Sequence, residues 1–274
     1  MNNDLENFLA SHPYALATRD TYRRCLSPLV DLPDLEHLSA SGLLGFVQAR
    51  PVGNSQQYVT VCAARRFLAW RYGPLHPALS ARIKRYRPRR QRTLTAKLAL
   101  DLLASFDPRM PKGARDLALA AVALDTGLRC SELCRLKLSD VDLAARSLQV
   151  IVKGGQWGIG IFSPETAQYI REWISIREAA AGVGELFVSV TTGKGLTRNG
   201  LKCIVRYWGN SIGVKLSPHD LRRSFATLTT IFGAPSRVVQ SAGRWSDISM
   251  VERYTQALDP NTISPYLPVH RLNP

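Results

Sequence analysis

The chain has 274 residues, enough for about two domains, and 45% of them are hydrophobic, which excludes an intrinsically disordered protein. The net charge of +15 favours a polyanionic partner, nucleic acid before a membrane surface. No apolar run approaches the ~20 residues of a membrane span, and the N-terminus does not read as a signal peptide. Because the five cysteines are odd in number and scattered, we expect a reducing cytoplasm as the location.

Residues 1–85 read as helices, because apolar residues recur there at helical spacing and no alternating strand pattern occurs. Candidate N-caps are Thr18 for the second helix, Ser39 or Ser41 for the third and Ser55 for the fourth. The sequence therefore predicts an N-terminal helical domain.

An acid-free basic stretch covers much of this region. Between His37 and Leu100 there is no Asp or Glu, against twelve Lys or Arg. A solvated surface normally mixes charge signs, so we expect this face to contact phosphates, with a merely soluble basic surface as the alternative. The stretch ends in KRYRPRRQR, where Pro88 and crowded like charges predict an interdomain linker. The candidate DNA-binding residues are Arg65, Arg66, Lys84, Arg85, Arg87, Arg89, Arg90 and Arg92.

Helices resume after the linker. Thr95 is a candidate cap, and an apolar helix runs from about Gly113 until Gly127 turns the chain into LRCSELCRLKLSDVDL. Arg129 begins that helix, with Glu132 three residues on. The two residues form either a surface pair of small energetic value or part of a phosphate site at a helix N-terminus.

A β-hairpin follows, because two β-rich runs within SLQVIVKGGQWGIGIF flank a Lys-Gly-Gly-Gln turn with Lys153 at or near its tip. Ser163 then caps a predicted helix to about Ala181. A short strand is predicted at 185–190, and Thr197 or Asn199 starts another helix.

The segment from Ser217 to Tyr254 carries four chemically distinct groups. Ser217-Pro218 opens a helix on which His219 and Arg222 share one face, and Trp245 and Tyr254 follow on later segments. The sequence contains no nucleotide-binding glycine motif, no HExxH and no carboxylate cluster that predicts a metal site.

Six residues thus occur in a fixed order: Arg129, Lys153, His219, Arg222, Trp245 and Tyr254. In this order the chain resembles the tyrosine recombinases, or phage integrase family, of the simple Cre- and Xer-like type. TGLRCSELCRLKLSDVD resembles the family's first arginine box, VKGG its hairpin lysine and SPHDLRRSFATL its HxLR box. AGRWSDISMVERYT resembles the final box, in which His or Trp precedes the nucleophilic tyrosine by nine residues.

This resemblance implies a mainly α fold with a small β-sheet, forming a C-shaped clamp on DNA. Its parts are an N-terminal helical, SAM-like core-DNA-binding domain (1–85), a basic linker (86–94) and an α+β catalytic domain (95–274). No separate arm-binding domain is expected before them. The tail, about 257–274, either docks on a neighbouring protomer, as in the family, or frays.

The resemblance also implies a site-specific DNA recombinase that needs neither metal nor cofactor. Tyr254 is expected to attack a phosphodiester and form a 3′-phosphotyrosine, while Arg129 and Arg222 hold the non-bridging oxygens. A homotetramer would exchange strands between two specific double-stranded DNA sites through a Holliday junction. Integration, excision and resolution all fit these residues.

The remaining roles follow the same pattern. Lys153 is the expected general acid, His219 a phosphate ligand and proton acceptor, Trp245 a hydrogen-bond donor and wall, and Glu132 a positioning residue. The hairpin departs from the family because GGQWGIGIF, not further basic residues, follows the lysine, and Arg223 stands where His is common. The alternatives are a type IB topoisomerase-like nicking and closing enzyme, and a DNA-binding regulator on a degenerate recombinase fold, against which the intact residue set argues.

Overall fold

The computed structural model describes residues 2–84, 92–152, 155–179 and 182–255. The chain divides into two compact units, Met1–Pro88 and Arg89–Pro274, and the division falls within the predicted linker 86–94. Several predicted residues lie outside the described residues: Lys153, Arg85, Arg87, Arg89, Arg90 and the tail 257–274.

The N-terminal unit is helical and has its own core. Its core is built from the apolar faces of all four α-helices, with Phe8 and Phe67 packed edge to face, their ring centroids 5.5 Å apart. The elements are α1 (Asn2–Ala10), α2 (Leu16–Val30), α3 (Ala40–Gln48), α4 (Asn54–Tyr72) and a 3-10 turn (Pro77–Ser80).

The helix starts in this unit match the predictions in part. Ser39 caps α3, because its side chain accepts a hydrogen bond from a backbone N–H three residues on, at 3.0 Å. Thr18 and Ser55 were expected as caps but lie within the first turns of α2 and α4. The residues that precede these helices, Ala15 and Gly53, carry no side-chain acceptor. Both helices therefore begin without the signal on which a sequence prediction depends.

In the C-terminal unit, helices and a small sheet pack around one buried helix, Pro111–Thr126. Trp173 and Trp208 are fully buried in its core. Its helices are α5 (Ala96–Ala104), α6 (Pro111–Thr126), α7 (Cys130–Arg135), α8 (Pro164–Ile176), α9 (Arg198–Ser211), α10 (Pro218–Ile231), α11 (Ser236–Ala242) and α12 (Ser249–Thr255). Its strands are β1 (Val141–Asp142), β2 (Ser147–Ile151) and β3 (Trp157–Ile161).

The three strands form an antiparallel sheet in the order β1-β2-β3, and β2 and β3 form the predicted hairpin. Pairing of Leu148 with Gly160 turns one face of the hairpin towards the core, whereas Ile151 and Trp157 pair on the exposed face. The mainly α fold with a small β-sheet, predicted from the sequence, is confirmed.

Two predictions for this unit are wrong in detail. The helix from Ser163 ends at Ile176, not near Ala181, because the guanidinium of Arg177 binds the backbone oxygens of Val183 and Leu186 and fixes a turn there. The segment 185–190 is not a strand. It forms single bridges, such as that between Lys137 and Glu185, instead of a continuous ladder.

Within the described ranges, no helix combines the length and apolarity needed to cross a bilayer.

Candidate active site

The first part of the site is the turn between α6 and α7. Gly127 adopts a left-handed conformation (φ 58°), and a Cβ there would come within 2.4 Å of the Phe225 ring, so glycine is required on both counts. The turn places Arg129 at the N-cap of α7. Its backbone N–H and its Nη1 both donate to the carboxylate of Glu132, at 2.8 and 2.7 Å.

Glu132 is buried, with 5% of its side chain exposed. The pair is therefore not the surface ion pair that spacing alone allows. Since a single guanidinium nitrogen takes part in it, the pair orients Arg129 and leaves the rest of its planar donor fork for another acceptor.

Helix α10 carries the second part of the site. Ser217 caps it as predicted, accepting from the N–H of Asp220 and donating to the carboxylate of that residue at 2.6 Å. His219 lies at the surface, whereas Arg222, one turn on, is buried. Burial, reinforced by repulsion from Arg129, lowers the pKa of Arg222 to about 10, so its guanidinium stays charged at neutral pH.

The backbone carbonyls of two distant turns hold Arg222. Its Nη1 donates to the oxygen of Gly127, and its Nη2 donates to the oxygen of Gly243 at 2.6 Å. The same guanidinium lies over the Trp245 ring, with Cζ 4.4 Å from the ring centre. Arg222 is thereby fixed before any ligand arrives.

Aromatic contacts bring the last two predicted residues to the same place. The Trp245 and Tyr254 ring centroids are 5.6 Å apart, and the ring of Tyr254 meets that of His219 edge to face at 6.2 Å. Tyr254 is 3% exposed, and Thr227 donates a hydrogen bond to its backbone oxygen at 2.9 Å. The tyrosine that ends the predicted series is thus packed against the histidine of α10.

A cavity of about 270 Å³ lies beside His219 and Arg222, and Arg129 and Arg198 also line it. Three guanidiniums line it, so it favours an anion. Partial burial, and then the charges of Arg223 and Arg222, hold the pKa of His219 below its usual value of 6.5. The imidazole is therefore neutral at physiological pH and able to accept a proton.

Two arginines of the site were not predicted from the sequence. Arg198 begins α9 directly after its cap Thr197 and lines the cavity. Arg244 precedes Trp245 in a left-handed conformation (φ 56°) and binds backbone oxygens of three elements. A basic residue next to a helix cap was a weak signal for the first, but no sequence pattern indicated the second.

Four of the predicted DNA-binding residues lie within the described ranges, and they differ in exposure and in hydrogen-bond partner. In the N-terminal unit, Arg65 donates to the backbone oxygen of Leu79 at 2.8 Å, and Arg66 donates to the hydroxyl of Tyr22 at 3.3 Å. Lys84 is exposed. In the C-terminal unit, Arg92 is 60% exposed and pairs with buried Asp220 at 3.5 Å.

Three guanidiniums around a small cavity, with a neutral imidazole and a phenol beside them, define a site for a phosphate group next to a potential nucleophile. In a chain with a net charge of +15, that combination is typical of an enzyme that cleaves nucleic acid through a tyrosine.

Comparison with known proteins gives the same class. Residues 92–260 match the phage integrase family. The XerC tyrosine recombinase of Actinobacillus pleuropneumoniae is 28% identical over 183 residues, which cover 66% of this chain and 60% of that protein. The XerD tyrosine recombinase of Listeria monocytogenes serovar 1/2a is 29% identical over 280 residues, covering 93% of this chain and 94% of the relative.

Solved structures share the fold at lower identity. XerH bound to its palindromic difH substrate, a post-cleavage complex, matches with a TM-score of 0.75 and 18% identity over 92% of this chain and 80% of that one. A lambda integrase dimer bound to a COC′ core site matches with a TM-score of 0.72 and 17% identity over 93% of this chain and 95% of that one. The chain belongs to the phage integrase family, the tyrosine recombinases. It is a site-specific DNA recombinase of the tyrosine type.

Proposed function

We propose that the protein cleaves and rejoins double-stranded DNA at specific sites through Tyr254 and exchanges strands between two duplexes through a Holliday junction. The observation that carries this proposal is the packing of the Tyr254 ring against His219 and Trp245, beside the fixed guanidinium of Arg222. The nucleophile and the phosphate ligands of the proposed reaction therefore belong to one prearranged group.

In the proposed cleavage step, the Tyr254 oxygen forms a bond to the scissile phosphorus and the bond from phosphorus to the 5′-oxygen breaks. His219, neutral because its pKa is lowered, takes the phenolic proton. Arg129 and Arg222 hold the non-bridging oxygens and stabilise the charge that builds up on the pentavalent phosphorus. The products are a 3′-phosphotyrosine and a free 5′-hydroxyl. By the family resemblance, Lys153 supplies the proton of that hydroxyl.

Rejoining reverses these steps with the 5′-hydroxyl of the partner strand. Cleavage converts a phosphodiester bond into a phosphotyrosine ester, and rejoining converts that ester back into a phosphodiester. Because the bond energy is kept in the ester, the reaction needs no nucleotide hydrolysis and no cofactor. The guanidiniums of Arg129, Arg198 and Arg222 supply the positive charge that a metal supplies in other phosphoryl-transfer enzymes.

The N-terminal unit is proposed to bind the same DNA through its basic residues. Arg66 and Lys84 are exposed, and the stretch to which they belong contains no acidic residue between His37 and Leu100. The odd number and scattered positions of the cysteines favour a reducing compartment, so we place the reaction in the cytoplasm.

A homotetramer on two duplexes completes the proposal, and an apolar groove in the C-terminal unit supports it. The groove, about 630 Å³, is walled by Leu124, Phe225 and Val239. Phe232 and Ile161 on its walls are 73% and 63% exposed. We propose that the tail 257–274 of a neighbouring protomer, which lies outside the described residues, docks there, as such tails do in the family.

The decisive experiment traps the covalent intermediate. A library of random duplexes, each with one nick, is incubated with the protein; cleavage next to the nick releases a short fragment, so rejoining fails and the adduct persists. We expect an SDS-resistant complex with the wild type and none with Tyr254→Phe, while both bind the selected duplex alike. Tyr207→Phe is the matched control, because Tyr207 is 61% exposed and lies outside the site.

An SDS-resistant complex that survives Tyr254→Phe would overturn the proposal. Two differently labelled copies of the selected duplex then test strand exchange. Products that join the two labels support recombination, whereas relaxation of any supercoiled plasmid without such products would indicate a topoisomerase-like activity instead.

A further inference from the structure

Arg244 connects three elements around the site. Its Nη1 donates to the backbone oxygens of Ile159 in β3 and Ala242 in α11, at 3.0 and 2.8 Å. Its Nη2 donates to the oxygen of Thr126, the last residue of α6, at 2.8 Å. These contacts span 85 and 118 residues of sequence, so one side chain fixes a strand and the ends of two helices.

Arg244 and Arg222 act on adjacent carbonyls. Arg222 binds the oxygens of residues 127 and 243, and Arg244 binds those of residues 126 and 242. The two guanidiniums therefore connect the same two turns, and in each turn Arg244 binds the carbonyl that directly precedes the one bound by Arg222. Only Arg244 extends the bridge to β3.

The backbone at Arg244 is costly to form. Arg244 has φ 56°, and a non-glycine residue in this left-handed region is strained by its Cβ, a strain that glycine would avoid. The fold keeps an arginine there although glycine is the residue that this backbone favours. The role of Arg244 therefore depends on its side chain, which binds carbonyls next to those bound by Arg222. In the sequence, Arg244 directly precedes Trp245.

We propose that Arg244 is a positioning residue for strand cleavage: it holds the turn at Gly127, the turn at Gly243 and strand β3 in the register in which Arg222 and Trp245 meet the phosphate. The inference rests on the proposed function, because it concerns the rate of that reaction. Arg244 acts through these neighbours and does not itself touch the scissile group.

A substitution at Gly158 in β3 tests this proposal without changing Arg244 itself. A Cβ at residue 158 would lie 2.6 Å from Cδ of Arg244, so Gly158→Ala must displace the arginine side chain. The next contact of that Cβ, with Val152 at 3.1 Å, is much milder. In the absence of the arginine side chain, only this smaller conflict remains, and a shift of a few tenths of an ångström by Val152 relieves it.

The test compares cleavage with binding on the duplex selected above. Arg244→Gly removes the guanidinium and suits the left-handed backbone, so strain cannot explain its effect. We expect its single-turnover cleavage rate at saturating DNA to fall about 10- to 100-fold, since misplacement by about 1 Å costs up to that much, while the dissociation constant changes by less than about threefold. Arg244→Lys cannot reach three carbonyls and should recover only part of the rate.

The double variant separates positioning from general loss of packing. Gly158→Ala alone should slow cleavage as Arg244→Gly does, and in the Arg244→Gly background it should add much less than it does in the wild type. Arg177→Ala is the matched control, because Arg177 also binds three backbone oxygens, those of Val183, Glu185 and Leu186, and none of these residues lines the 270 Å³ cavity. It should lower the melting temperature and leave the cleavage rate unchanged.

The proposal is overturned if Arg244→Gly cleaves at the wild-type rate, if Gly158→Ala slows the Arg244→Gly variant as much as it slows the wild type, or if Arg177→Ala slows cleavage as much as Arg244→Gly does. Failure of the proposed function is a different result, since the wild type itself would then form no adduct dependent on Tyr254.

Discussion

The guanidinium carbon of Arg222 lies 4.4 Å from the centre of the Trp245 ring. Two backbone carbonyls fix the other side of the arginine, and Trp245 stacks on Phe225 with ring centroids 6.1 Å apart. The two carbonyls and the indole together therefore restrict the orientation of the guanidinium. A planar donor fork in a fixed plane suits the bidentate recognition of phosphate oxygens.

We expect Trp245→Phe to keep an aromatic ring beside Arg222 and lose the indole N–H with part of the ring, so that cleavage slows by roughly tenfold, the value of one hydrogen bond. Trp245→Ala leaves a cavity beside Arg222 and should cost about 3–5 kcal/mol of stability and far more of the rate. Single-turnover cleavage and thermal unfolding measure the two effects. Equal cleavage rates for the two variants would show that the ring does not orient the arginine.

Arg222 offers a second prediction. Arg222→Ala should lower the cleavage rate about 10²- to 10³-fold, as does the loss of a preorganised donor to a developing oxyanion. Arg222→Lys should rescue little, because one ammonium cannot bind two carbonyls and a phosphate in a plane. Arg223→Lys is the control, since Arg223 pairs with Asp220 instead. A lysine variant that cleaves like the wild type would reduce the role of Arg222 to simple charge.

The sequence predicted the parts of this site better than their supports. Helix capping and i,i+3 spacing, which are local properties, indicated His219 and Arg222. The resemblance of the final box to that of the family indicated Trp245 and Tyr254. The burial of Glu132 and the contacts of Arg244 depend on residues that are distant in sequence, and no local pattern encodes them.

The fold shows the same division. Helix starts with a side-chain cap, such as that at Ser39, were predicted correctly. For the helices that begin after Ala15 and Gly53, the predicted caps lie three and two residues too late. Residues 185–190 have β propensity, but the turn that Arg177 fixes leaves them with isolated bridges.

His219 predicts a pH dependence. Its pKa is lowered by partial burial and then by the charges of Arg223 and Arg222, so we expect its imidazole to titrate below 6.5 in an NMR experiment on the free protein. Cleavage that uses the neutral imidazole should fall as pH drops through that midpoint, and His219→Gln should remove this limb of the profile. Bound phosphate, being negative, should raise the midpoint again.

The stability of the protein should follow the same group. Because the folded pKa lies below the unfolded one, the unfolded state binds the proton more readily, and the contribution of His219 to stability is lost as pH falls through both values. His219→Gln should therefore lose less stability on acidification than the wild type. An imidazole that titrates above 6.5 in the free protein would contradict both expectations.

Metal removal provides a third type of test. Since Arg129, Arg198 and Arg222 are proposed to neutralise the scissile phosphate, excess EDTA should leave the rate of adduct formation unchanged. Adding Mg²⁺ back serves as the control and should change only the ionic strength. A strict requirement for a divalent cation in the cleavage step would contradict the proposed chemistry.

The basic face of the N-terminal unit predicts an electrostatic, sequence-independent contribution to binding. If Arg66 and Lys84 each contact a phosphate, their alanine variants should each reduce the slope of log K against log salt concentration by about 0.9 and weaken binding to all duplexes alike. Arg109→Ala is the control, because Arg109 is exposed but pairs with Asp107 outside the acid-free stretch. An unchanged slope in the Arg66 and Lys84 variants would mean that this face does not lie on the DNA backbone, and altered discrimination between duplexes would mean that it contacts bases.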